Sequence, residues 1–342
     1  MVYMTQPHAT TAPRRALRAV AILACLPYIG LKVAWIAGSY LGIPEGSDLR
    51  APGERPVMLA FNGLSVLMDA AVVVLALLLT RPWGRRVPAW LLALPVWCAC
   101  GLLAPIMTGF PAQLIVTALG HGTGAGPAAD DSRFLADWVF GLVYGGFILQ
   151  GLALGALFVL YARERWGHLW RGRIADLPAD SPTRGAQRLT AVVATVLAVL
   201  PAATHALWAA GSTAGLSAAR AAERTSDFYV LEAMYVVFAL ATAAGALTLA
   251  FRSGHRLRLG VPLGLAWIGS GALACWGGWL MLTGLTSGDG AKAPSAVMNM
   301  TYAVQMIVGL LVLTAGAYFF GERGAQASEA PVPPRTLELR PL

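Results

Sequence analysis

The chain has 342 residues, of which 57% are hydrophobic and only 12% charged, with a formal net charge of +8 and a mean hydropathy of +0.63. Soluble domains carry about 25% charged residues, so this composition excludes an ordinary soluble enzyme. The charges lie between long apolar blocks rather than on one basic face, which makes the bilayer the expected partner and leaves no expectation of nucleic-acid binding.

Eight blocks reach the roughly 20 apolar residues that a transmembrane helix needs. In chain order they cover 17–42, 57–80, 87–108, 134–162, 188–212, 227–251, 261–285 and 296–320. The first block is preceded by Arg14 and Arg15 and contains Ile22 to Cys25, a pattern similar to a weak export signal. Because its apolar run continues to Gly42, an uncleaved first span is expected. The segment "HGTGAGPAADD" in the loop 109–133 reads as irregular, and the Pro-rich tail 321–342 reads as disordered. The organisation predicted is a first four-helix unit at 1–162, a linker at 163–187, a second four-helix unit at 188–320, and the tail.

Basic residues set the orientation, because Lys and Arg are retained on the cytoplasmic side. Alternate connections and the two termini hold 18 arginines, among them Arg14, Arg85, Arg165, Arg184, Arg252 and Arg323. The opposite loops hold six basic residues: Arg50, Arg55, Arg133, Arg220, Arg224 and Lys292. This split predicts a multi-pass protein of the cytoplasmic (inner) membrane with both termini in the cytoplasm.

The stretches "KVAWIAGSYLG" (32–42) and "HALWAAGSTAG" (205–215) are identical at Trp35/Trp208, Ala37/Ala210, Gly38/Gly211, Ser39/Ser212 and Gly42/Gly215. Further echoes follow in the same order: "RPWGRR" with "RSGHRLR", Tyr144 with Tyr302, and Glu164–Arg165 with Glu322–Arg323. The expected fold class is therefore all-α, a polytopic membrane protein of eight transmembrane helices arranged as a parallel 4+4 repeat. Gly38-x-x-x-Gly42 and Gly211-x-x-x-Gly215, each with its tryptophan, read as a helix-packing motif that lets backbones approach closely.

Four ionisable residues fall inside the predicted spans: Lys32, Asp69, His205 and Glu232. A charge at mid-bilayer costs about 2.5–3.5 kcal/mol on insertion scales, so each needs a partner or a water-filled cavity. Lys32, ten residues before Gly42, and Asp69, about twelve residues into the second span, fall at similar depth and are expected to form an ion pair. The aligned halves place His205 opposite Lys32 and Leu240 opposite Asp69, as a compensating pair would require. Glu232 lies nearer the outer surface, within reach of water, and His205 reads either as a satisfied core residue or as part of a site. Alternatively the four line one polar pathway between the halves, with hydrogen bonds from Asn62, Asn299, Gln150, Gln305, Tyr144 and Tyr302.

The sequence contains no Walker loop and no His-Glu-x-x-His motif. Cys98-x-Cys100 has no nearby histidine to complete a zinc site. No catalytic residue, metal or cofactor is assigned.

A parallel 4+4 bundle resembles the haem A synthase architecture, whose family uses histidines in several helices. His205 alone does not support haem ligation here. "HALWAAGSTAG" also resembles a His-x-x-Trp-x-x-Gly helix motif of uncharacterised bacterial multi-pass membrane proteins, which implies a duplicated member of such a group. Three functional classes follow. The first is a non-enzymatic integral membrane protein of unspecified role. The second is a small-solute or proton-coupled transporter using the four ionisable residues. The third is a membrane-embedded enzyme acting on a lipid or quinone.

Overall fold

In the computed structural model, which describes residues 12–50, 55–120, 135–178, 180–222, 224–286 and 293–329, the apolar runs become helices. The order is α1 (Ala12–Ile36), α2 (Arg55–Thr80), α3 (Ala89–Ala118), α4 (Asp137–Arg165), a short α5 (Gly167–Trp170), α6 (Arg184–Ala209), a short α7 (Ala218–Ala222), α8 (Ser226–Phe251), α9 (Gly260–Thr286) and α10 (Ala296–Glu329). The eight long helices are each long and apolar enough to cross a membrane. No strand occurs among the described residues, which hold one isolated bridge between Arg173 and Arg258. The protein is thus an all-α, multi-pass membrane protein. Leu67, Val196 and Leu285 are more than half exposed on the bundle surface. Where every backbone group is bonded within its own helix, that outer surface can be uniformly apolar and meet lipid.

Two sub-bundles assemble from these helices. Helix α1 packs along α2 and α4, while α6 packs along α8 and α10, and α9 closes the second group by lying against both α8 and α10. The groups meet where α3 crosses α9, with α3 also touching α8. At the crossing Gly101 lies against the backbone of Gly271, leaving no room for a Cβ. Trp97 Nε1 donates to Ser270 Oγ at 3.1 Å and Trp276 Nε1 donates to the Leu102 carbonyl at 3.1 Å. Small residues and paired indole N–H groups supply the close packing and hydrogen bonding that join helices in lipid.

The arginine-rich ends gather on one side. Arg14 and Arg85 both bond Glu164. Arg165 bonds the carbonyls of Gly84 at 3.3 Å and Val87 at 2.8 Å. The linker is docked on the same side: Ile174 N donates to Leu257 O at 3.1 Å and Leu259 N to Gly172 O at 3.0 Å. Glu322 Oε2 accepts from Ser181 at 2.7 Å, Thr183 at 2.9 Å and Gln187 at 3.2 Å.

Several sequence boundaries move. Helix α3 runs on to Ala118, ten residues past its apolar block, and α6 begins at Arg184, inside the expected linker. Helix α10 continues to Glu329, so the first part of the expected disordered tail is helical. Residues 330–342 and the "HGTGAGPAADD" stretch lie outside the described residues.

The larger correction concerns the duplicated motif. Helix α1 stops at Ile36 and α6 at Ala209, so Gly38, Gly42, Gly211 and Gly215 lie beyond the helix ends. They do not form a helix-packing face. Gly38 and Gly211 both have φ of 94°, in the left-handed region that a side chain resists. Gly38 N donates to Trp35 O at 3.1 Å and Ser39 N to Ala34 O at 2.9 Å; Gly211 N donates to Trp208 O at 3.0 Å and Ser212 N to Leu207 O at 2.9 Å. This pair of bonds is the Schellman helix stop. The tryptophan then clasps the loop that follows, with Trp35 Nε1 donating to Leu41 O at 2.8 Å and Trp208 Nε1 to Ala214 O at 2.9 Å. Gly42 and Gly215, also at positive φ, press the loop against Val139 of α4 and Val297 of α10. The tryptophan and the two glycines of each motif serve to end a helix and seat its loop.

Candidate functional site

The helix stop fixes the depth of the residue three places before each tryptophan. Lys32 and His205 each lie four residues inside their helix end, about 6 Å at 1.5 Å rise per residue. Asp69 is fourteen residues into α2, about 21 Å from the same side. The expected Lys32–Asp69 ion pair is therefore absent: the two are not within ion-pair distance. The apolar run of the capping loop, read as helix, had exaggerated the depth of the lysine.

Lys32 is satisfied in another way. Its Nζ donates to Asn62 Oδ1 of α2 at 2.9 Å. The same ammonium lies 5.0 Å from the Tyr28 ring centre and 4.7 Å from that of Trp35, one turn to either side on α1. Two aromatic faces and an amide oxygen hold the cation without a carboxylate. Asp69 pairs with α4 instead, accepting from Gln150 Nε2 at 3.3 Å.

In the second sub-bundle the equivalent position carries His205, which is 1% exposed. Its Nδ1 bonds the Oε2 of Glu232 on α8. Its Nε2 lies 3.0 Å from Gln305 Oε1 on α10. Glu232 is 4% exposed and Gln305 is fully buried. Helices α6 and α8 run in opposite directions, so a residue near the end of one meets a residue near the start of the other. Glu232 is accordingly a partner of His205, and the expectation that its carboxylate reaches water is corrected. The imidazole is walled by Tyr235 at 4.7 Å and Trp208 at 5.3 Å between ring centres.

The chemistry of this triad is a one-proton choice. With two acceptors facing the ring, either an imidazolium lies beside a carboxylate, or a neutral imidazole takes the hydrogen bond of a protonated Glu232. As placed, Gln305 Nε2 has no partner. Turning the amide over lets it donate to Nε2 of a neutral imidazole whose Nδ1–H faces the carboxylate. Proton number and amide orientation are linked.

The four ionisable residues thus fall into two clusters, each inside one sub-bundle. Between them stand two tryptophans one turn apart on α9. Trp276 faces Tyr235 at 6.5 Å and Trp279 faces Phe61 at 5.6 Å. No hydrogen bond or ion pair among the described residues joins the clusters. Asn62, Gln150 and Gln305 are members, whereas Asn299 is exposed, Tyr144 stacks on Phe110 and Phe140, and Tyr302 packs with Trp208 and Met298. The roles of Tyr28, Trp35 and Tyr235 around the charged groups were not read from the sequence. Their only signal there was an aromatic residue one turn from an ionisable one.

All four cysteines are free thiols, and no group of three or more His, Cys, Asp or Glu side chains among the described residues is placed to hold a metal ion. Comparison with family models, with curated proteins and with solved structures finds no match for this chain.

Proposed function

We propose that this integral membrane protein is a non-enzymatic, proton-coupled transporter of a small solute, in which the His205–Glu232–Gln305 triad is the proton-binding site. One observation carries the reading: the fold places a titratable pair where it does not need one. In the first sub-bundle the position of His205 is filled by Lys32. The positions of Glu232 and Gln305 fall on Phe61 and Phe147 when α2 is aligned with α8 by their ends and α4 with α10 by Tyr144 and Tyr302. An acid–base pair inside a membrane is costly and marks ion or proton routes, and here the same chain fills the equivalent positions with a lysine and two phenylalanines, without an acid.

The 4+4 duplication, insertion in the cytoplasmic membrane with the arginine-rich ends inside, and kinship with uncharacterised bacterial multi-pass proteins belong to the same proposal. Support comes from the paired helix stops with φ of 94° at Gly38 and Gly211 and from the gathering of arginines at one end. The test uses full-length protein in phosphatidylethanolamine–phosphatidylglycerol vesicles that enclose a pH-sensitive dye. Amino acids, sugars, small carboxylates and amines are offered outside in turn. A solute that drives an internal pH change in the wild type but not in His205→Gln or Glu232→Gln establishes the reading. Solute entry that moves no protons, or that both variants retain in full, removes it.

A further inference from the structure

We infer that Asp69 and Gln150 form a second site, distinct from the histidine triad, that binds a monovalent alkali cation in the first sub-bundle. Both side chains are deeply buried, at 4% and 1% exposure, near the middle of α2 and α4. Their mutual bond uses only Asp69 Oδ1 and Gln150 Nε2. Asp69 Oδ2 and Gln150 Oε1 have no partner. Two unsatisfied oxygens of a carboxylate–amide pair at this depth are a strong demand, because a buried carboxylate is tolerated only when paired, coordinated or protonated.

The nearest cation of the protein does not meet that demand. Lys32 is held by Asn62 and by the faces of Tyr28 and Trp35. Tyr28, bonded to Ser65, lies within electrostatic reach of Asp69, and the two open acceptors of the pair itself are both oxygens. An all-oxygen set selects a hard cation over a soft one. One carboxylate with a lysine close by disfavours a divalent ion, whose charge would leave the cluster strongly positive. The site needs nothing from His205 and does not rest on its role.

The experiment is thermal unfolding of the full chain in detergent at fixed pH and fixed ionic strength, with N-methylglucamine chloride replaced stepwise by lithium, sodium or potassium chloride. The expected result is a saturable rise in Tm of several degrees for at least one alkali cation. Asp69→Asn and Gln150→Met should lack that rise and His205→Gln should keep it. Should Asp69→Asn not fold, Gln150→Met alone decides. Equal effects of all four cations overturn the inference, as does a response that survives in the variants. So does a full rise produced by lowering the pH without alkali cation, which would make Asp69 a proton site.

Discussion

The two sub-bundles solve the same problem differently. Three residues before a tryptophan that clasps the helix stop, each places a polar side chain about one turn inside the helix end. In the first, a lysine ammonium is wrapped by Tyr28, Trp35 and Asn62. In the second, the side chain whose ordinary titration lies nearest neutrality is bonded to an acid and an amide. The difference teaches which features belong to the frame and which to the site. The Schellman stop, the indole clasp and the glycine pressed against a valine occur in both and are structural. The His205–Glu232–Gln305 triad occurs once.

The largest expected effect tests that division. Glu232→Ala removes one partner of a buried pair, and such changes cost about 3–5 kcal/mol. Unfolding in denaturant should show a loss of that order. Transplanting the first sub-bundle's residues, His205→Lys with Glu232→Phe, Ala233→Asn and Gln305→Phe, should recover most of it, because Trp208 already stands where Trp35 does. Failure to recover stability would mean that the second sub-bundle is not built on the same frame.

Next come the glycines. At Gly42 a Cβ would collide with Val139 and Trp138, and at Gly215 it would lie 2.6 Å from Val297 Cγ1. Each also has positive φ. Alanine there combines left-handed strain of about 1–2 kcal/mol with overpacking of about 1–3 kcal/mol. Gly211 has the same kind of φ but nothing within 4 Å, so Gly211→Ala should cost only the strain. Equal losses at Gly211 and Gly215 would restore the view that both glycines are packing residues.

Much of this was legible because a membrane span is a one-dimensional property. Run length alone counts eight helices, and basic residues alone show which ends gather. What failed was the end of the run. Gly-x-x-x-Gly fits both a packing face and a helix stop followed by a tight loop, and the loop after Trp35 is itself apolar. Reading it as helix placed Lys32 too deep, paired it with Asp69, and hid the antiparallel register that brings His205 to Glu232. Asn62, Gln150 and Gln305 could be named as hydrogen-bonding residues from their types. Assigning them to partners required knowing which helix lies beside which.

A double-mutant comparison sharpens the assignment of Lys32. Lys32→Met with Asn62→Leu should be less destabilising than the sum of the singles by about 1.5–3 kcal/mol, the scale of a hydrogen bond to a charged group. The coupling of Lys32→Met with Asp69→Leu should be smaller, since the two interact only through space. A larger coupling to Asp69 would reverse the assignment.

The smallest effect separates frame from site within one residue type. Trp35→Phe and Trp208→Phe each delete an indole N–H bonded to a loop carbonyl, at 2.8 and 2.9 Å, and each should cost about 1 kcal/mol. Trp35 also presents its ring to the Lys32 ammonium at 4.7 Å, and phenylalanine is the poorer cation–π partner. Trp35→Phe should therefore be the more costly of the two by a few tenths of a kcal/mol. In a Lys32→Met background that excess should vanish while the common loss remains, because the clasp belongs to the frame and the ring face to the lysine.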